Sequence, residues 1–122
     1  MKPFEDVLRT IRRHKKFLVT CHHNPDADAG ASALALALAL KKMKKSAVVV
    51  NEDNLPDWLK FIPQAKSFKK ASTLKPFDYD AAIVLDCGDL ERIGAVKKLL
   101  LPGKPMINID HHVTNDRFGS VN

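Results

Sequence analysis

Apolar residues at Phe4, Val7, Leu8 and Ile11 recur at helical spacing and predict an amphipathic helix that ends in the basic run Arg12-Arg13-His14-Lys15-Lys16. The pattern then changes to short, nearly continuous apolar runs: Phe17-Leu18-Val19-Thr20-Cys21, Ala47-Val48-Val49-Val50, Ala81-Ala82-Ile83-Val84-Leu85 and Met106-Ile107-Asn108-Ile109. Runs of this length, rich in β-branched residues and lacking polar alternation, predict strands covered on both faces, as in a parallel sheet. Between the first two runs, Ala33 to Leu40 alternates Ala with Leu. Counted by period this resembles a strand, but both residues are among the best helix formers and neither is β-branched, so the segment is expected to be a helix, apolar all round and mostly buried. Leu55 to Ile62, with Pro56 inside it and Pro63 after it, predicts a short helical or irregular excursion carrying Trp58 and Phe61 inward. Leu90, Ile93, Val96 and Leu100 return to helical spacing behind Asp89 as N-cap, and Pro102-Gly103-Lys104-Pro105 stops that helix.

Helices thus alternate with strands in the order α β α β (α) β α β, which implies an α/β fold: a parallel sheet with helices on both faces. Val113 to Asn122 predicts no helix to cover the sheet after the fourth strand, so the architecture is expected to be incomplete at the C-terminus and the chain a fragment of a longer protein. The composition agrees with a single globular domain: 122 residues, 45% apolar and 28% charged, exclude a disordered chain. The longest apolar stretch, Ala29 to Leu40, falls well short of the roughly 20 residues of a membrane span. The first residues carry no export signal, so a cytoplasmic location is expected. Cys21 and Cys87 have no metal-ligand spacing and end apolar runs, which makes them reduced core thiols.

Charge changes the picture modestly. Twenty Lys and Arg against fourteen Asp and Glu give +6, concentrated in Arg12 to Lys16, Lys41 to Lys45 and Lys66 to Lys70. This suits an anionic partner without naming one. Solvated helix ends and loops are the simpler reading of each cluster, since the helix dipole favours cations after a helix in any case.

Chemistry collects in three places, each just beyond a predicted strand, where open parallel sheets bind their ligands. They are His22-His23-Asn24-Pro25-Asp26-Ala27-Asp28, Asp86-Cys87-Gly88-Asp89 and Asp110-His111-His112. One acid after a strand is commonly a cap or turn residue. Three such ends in one sheet bring several carboxylates together, and like charges held close raise each other's pKa or require a cation. Carboxylate and imidazole donors without a thiolate pattern favour Mn²⁺ or Mg²⁺, and the imidazoles favour Mn²⁺. Asp26 and Asp28, two apart in an extended loop, would point the same way and address two adjacent ions. Two ions about 3.5–4 Å apart activate water and clamp a phosphoryl group, which makes phosphoester or phosphoanhydride hydrolysis the leading chemistry. A catalytic thiol at Cys21 or Cys87 would need its own base and is the weaker reading.

His22-x-x-Pro25-Asp26-x-Asp28 with Ser32 and Leu34, then Leu85-Asp86-Cys87-Gly88-Asp89, then Asp110-His111-His112, resembles motifs I, II and III of the DHH phosphoesterase superfamily. Asn108 to Asn115, with Phe118-Gly119 and Asn122, looks most like its NrnA-type branch, whose members degrade very short RNA oligonucleotides and dephosphorylate 3′-phosphoadenosine 5′-phosphate. The resemblance spans Phe17 to Asn122 and implies a Rossmann-like DHH N-terminal domain over residues 1–122, truncated, without the C-terminal DHHA1 substrate domain. It implies that His22, Asp26 and Asp86 hold one Mn²⁺ and that Asp28, Asp86 and His111 hold the other, with Asp86 bridging. His112 would contact the substrate phosphate, and Asp110 would orient the histidines. His23 receives no role. Ala31 stands where many relatives have Gly, and the family's fourth motif, an Asp completing the second metal site, would fall after Asn122. The implied partners are short RNA oligonucleotides or nucleotide bisphosphates, with no membrane; a homodimer is an open alternative. Within the same chemistry the alternatives are a RecJ-like exonuclease, a cyclic-dinucleotide phosphodiesterase and a pyrophosphatase. Outside it stands a non-catalytic nucleotide- or metal-binding module. A receiver-like domain would not need two consecutive histidines, and no G-x-G-x-x-G follows the first strand.

Overall fold

In the computed structural model, which describes residues 2–122, five parallel strands form one sheet in the order β3-β2-β1-β4-β5. The strands are β1 (Lys16–Cys21), β2 (Ser46–Asn51), β3 (Phe68–Lys70), β4 (Ala81–Leu85) and β5 (Met106–Ile109). The four predicted strands are present, and β3 is additional. It is a short edge strand, and its Lys69 and Lys70 are exposed. Part of the third basic cluster therefore lies on a sheet edge, where lysines discourage edge-to-edge pairing, rather than in a loop. Beyond β5, Val121 makes an isolated parallel bridge to Ile107, and no helix forms in the last ten residues.

The helices α1 (Lys2–Arg13) and α2 (Ala27–Lys42) cover one face of the sheet. Ile11, Ala29, Ala33 and Leu40 from these helices pack with Phe17, Val19, Val49, Ala81, Ile83 and Ile107 from the strands. Opposite them Leu18, Val50, Ala82 and Val84 pack under Tyr79, Ile93, Val96 and Leu99. The doubly covered parallel sheet is as expected. Among the described residues no helix is long and apolar enough to cross a membrane.

Three expectations need correction. The segment Leu90–Leu99 is 3₁₀ rather than a regular helix, broken at Gly94, whose φ of 57° and ψ of −127° leave the helical region. Asp89 occupies its N-cap position without a capping side-chain hydrogen bond. Trp58 and Phe61 point outward, 62% and 82% exposed. Leu55 and Leu59 take the inward positions instead, packing on Leu34 and closing on Gly30, where a side chain would crowd them. The Ala-Leu alternation of α2 does form a helix, but Ala35 and Ala39 are exposed and Leu36 and Leu38 only half-buried. A two-residue period advances about 200° per step on a helix, so alternate leucines spread over half its circumference.

Candidate metal centre

The strand order brings the C-terminal ends of β1, β4 and β5 side by side, because β4 inserts between β1 and β5 with Cys21 opposite Leu85 and Leu85 opposite Ile109. His22 follows β1, Asp86 follows β4 and Asp110 follows β5 at once, so residues distant in sequence meet on adjacent strand ends. Asp26 and Asp28 come to the same place by another route than the extended loop expected. Asp26 is the N-cap of α2, its Oδ1 accepting from the Ala29 amide at 2.9 Å, and Asp28 lies in the first helical turn. Acids belong there on electrostatic grounds too, since the N-terminus of a helix is its positive pole.

Asp86 is the centre of the cluster. Its side chain is 8% exposed, and its backbone lies in the left-handed region at φ 53°, a conformation Asp adopts more readily than most side chains. One oxygen, Oδ2, faces His22 Nε2 at 3.6 Å; the other, Oδ1, faces His111 Nε2 at 3.0 Å and His112 Nδ1 at 3.8 Å. His22 Nε2 also lies 3.8 Å from Asp26 Oδ1, and His111 Nε2 lies 3.3 Å from Asp28 Oδ2. Two groups of donor atoms therefore share Asp86: His22, Asp26 and Asp86 on one side, and Asp86, Asp110, His111 and His112 on the other.

The donor set fits cations. His22 Nδ1 lies 2.6 Å from the His23 carbonyl oxygen, which can only accept, so Nδ1 carries a proton. In the neutral ring Nε2 is then a bare lone pair aimed at two carboxylates, an arrangement that a shared metal ion resolves. Among the described residues, the ion pairs of Asp26, Asp28, Asp86 and Asp110 run to histidine alone, with no lysine or arginine to offset their charge.

Asp110 and His112 form a separate unit. His112 Nδ1 donates to Asp110 Oδ1 at 2.5 Å, which leaves Nε2 free to face a ligand. Burial pushes the Asp110 carboxyl up, but hydrogen bonds from Asn115, His112 and the His111 backbone together outweigh it and hold the group below the ordinary carboxylate range. Asn115 in turn bridges Asp110 Oδ2 and Asn108 Oδ1, each at 2.7 Å, and Asn108 is buried with its amide on the Val84 and Cys87 carbonyls. A cleft of about 300 Å³ runs past His112, Asp110, Asn115 and Arg117.

Cys21 and Cys87 are free and buried beside the site. Burial raises the Cys21 thiol to about 12 and the Cys87 thiol to about 11, so neither supplies a thiolate near neutral pH. The candidate ligands of all three motifs converge, whereas Asp89 and His23 stand apart from these clustered donors. The end of β2 went unremarked in the sequence. Glu52 and Asp53 follow that strand, which ends at Asn51, as the other acids follow theirs, and they gather with His23 in a further cluster.

Comparison with known proteins places this arrangement. The model of the "DHH family, N-terminal domain" matches residues 16–121, which include every donor named above. An exopolyphosphatase-related protein from Bacteroides fragilis has a similar structure, with a TM-score of 0.89 and 24% sequence identity over 98% of this chain. The chain spans 37% of that protein's length.

Proposed function

The chain belongs to the DHH family as its N-terminal domain, and from that membership we propose that it is the metal-holding catalytic domain of a hydrolase that cleaves phosphoesters. The single observation that carries the reading is the shared carboxylate of Asp86, with one oxygen on each of two histidine-carboxylate groups. In this reading His22, Asp26 and Asp86 hold one divalent ion, Asp28, Asp86 and His111 hold a second, and the ions are Mn²⁺. A pair of divalent ions supplies a nucleophile at neutral pH and neutralises the charge of a phosphoryl group.

The chain's own residues do the rest. The start of α2 sets where Asp26 and Asp28 stand, and the Ala29 amide holds the Asp26 carboxylate as the helix N-cap. Asp110 remains ionised and holds the Nδ1 proton of His112, which turns Nε2 toward the phosphoryl oxygens. Asn108 and Asn115 lock that pair onto the end of β4. The substrates proposed are short oligoribonucleotides and 3′-phosphoadenosine 5′-phosphate, on the resemblance of Asn108 to Asn122 to the NrnA-type branch. The DHHA1 substrate domain proposed to accompany this domain lies outside these residues. The likeness to an exopolyphosphatase-related protein favours a second reading, in which the substrate is a polyphosphate and the bond a phosphoanhydride.

The test is Mn²⁺-dependent product release from 3′-phosphoadenosine 5′-phosphate, an RNA dinucleotide and tripolyphosphate. It compares this chain and a version extended past Asn122 with their Asp86→Ala variants. Turnover of the first two that vanishes with Asp86 is expected; turnover of tripolyphosphate alone transfers the assignment to the second reading. Near-normal activity of the Asp86 variant would sink both.

A further inference from the structure

The direction of the His22 ring is set by a peptide group, and that peptide group is held from outside the site. His22 Nδ1 donates to the His23 carbonyl at 2.6 Å. The same planar unit ends in the Asn24 amide, which donates to Asp53 Oδ2 at 2.6 Å. A carboxylate, a peptide and an imidazole thus stand in line, and the far nitrogen of the imidazole faces Asp26 and Asp86. The preceding peptide is pinned as well: the His22 carbonyl accepts from Asn51 Nδ2 at 2.9 Å, and the His23 amide donates to the Arg92 carbonyl at 2.7 Å. Asn51 is fully buried at the end of β2, and its Oδ1 accepts from the Asp53 amide at 2.8 Å, so the clamp and Asp53 form one structure. Asn24 itself sits in the left-handed region at φ 55°.

We infer that Asp53 is a positioning residue which, through the His23–Asn24 peptide, fixes the tautomer and direction of the His22 imidazole. The inference rests on the reading of His22 as a metal ligand. Metal-binding histidines commonly present their second nitrogen to a carboxylate or a backbone carbonyl, which sets the tautomer and strengthens the ligand. Here both devices act in series. The negative charge of Asp53 polarises the Asn24 N–H, and polarisation of the amide makes the His23 oxygen a better acceptor for the Nδ1 proton.

The test uses ¹⁵N-histidine NMR of the metal-free protein, with His22 assigned through His22→Gln, together with Mn²⁺ titration followed by electron paramagnetic resonance of the free ion. The wild type should show His22 in a single tautomer with the proton on Nδ1. Asp53→Ala should mix the two tautomers and weaken Mn²⁺ binding about 10-fold, with the fold retained by circular dichroism. Asp53→Asn, which keeps an acceptor, should restore the tautomer, and Asp57→Ala, an exposed acid of the following turn, should change neither readout. Asp53→Ser, whose shorter side chain falls short of the Asn24 amide, carries the same expectation should the alanine variant fail to fold. Wild-type tautomer and Mn²⁺ affinity in the Ala or Ser variant would overturn the inference. A wild type that binds no Mn²⁺ overturns the metal reading of the site, while the tautomer measurement still decides the role of Asp53.

Discussion

Gly94 gives the sharpest test of how the elements around the site are held. Its φ of 57° and ψ of −127° suit glycine alone, and a Cβ added there would stand 2.3 Å from Glu52 Oε1 and 2.5 Å from its Cδ. The Glu52 carboxylate is in that space because it accepts a hydrogen bond from the Ala95 amide at 3.1 Å. Gly94→Ala therefore does two things. It places a side chain in a conformation that costs about 1–3 kcal/mol, and it displaces a charge-assisted hydrogen bond of about 1.5–3 kcal/mol. The reduced entropy of the unfolded chain returns about 0.4–1 kcal/mol. The expected loss is about 2–5 kcal/mol, a large part of the roughly 5–15 kcal/mol typical of a domain. Urea unfolding of the wild type, Gly94→Ala, Glu52→Ala and the double variant measures it. In the Glu52→Ala background only the backbone part remains, so the two changes should cost less together than separately, by about 1.5–3 kcal/mol. Strict additivity, or a cost below about 0.5 kcal/mol for Gly94→Ala, would refute the reasoning.

Two further outcomes are expected. His112→Ala should reduce kcat of the extended protein about 100-fold while changing Mn²⁺ affinity little, since His112 is assigned to the phosphoryl group; an equal loss in both would make it a metal ligand instead. The second concerns acid stability with a chelator present. The Asp110 carboxyl is held below its ordinary value of 3.8, so its contribution is complete above the unfolded value and is lost as pH falls through the folded one. The stability advantage of the wild type over Asp110→Asn should be constant above about pH 5 and shrink on further acidification. An advantage that persists unchanged to pH 3 would show that the hydrogen bonds to Asp110 do not depend on its charge.

The parallel sheet was legible because Phe17 to Cys21, Ala47 to Val50, Ala81 to Leu85 and Met106 to Ile109 are apolar without alternation, and only burial on both faces explains that. The strand-end acids and histidines were legible for a topological reason, since a parallel sheet places all such ends on one side. What escaped was context. The three residues of β3 are too few to show a period, and its lysines suit a loop equally well. Spacing alone could not reveal the break at Gly94, because Ile93, Val96 and Leu99 are buried whether the segment is 3₁₀ or α-helical. Trp58 and Phe61 were misplaced because aromaticity suggests burial, whereas the space against α2 is filled by Leu55 and Leu59. Asp26 and Asp28 were correctly singled out with the wrong backbone: a helix N-terminus also brings two acids to one side. Glu52 and Asp53 were missed although they obey the same strand-end rule.

The insertion of β4 between β1 and β5 also bears on how the domain comes into being. His22 and Asp86 become neighbours only when β1 and β4 pair, which closes a crossover of more than 50 residues containing α2, β2 and β3. In the unfolded chain these donors are far apart and compete for cations as isolated side chains. Ions that bind the assembled centre therefore bind almost exclusively to the native topology, and by mass action they stabilise the molecule in proportion to the logarithm of their concentration. Bound metal would thus hold a long-range pairing shut, so metal supply would set the stability of the fold as well as its chemistry.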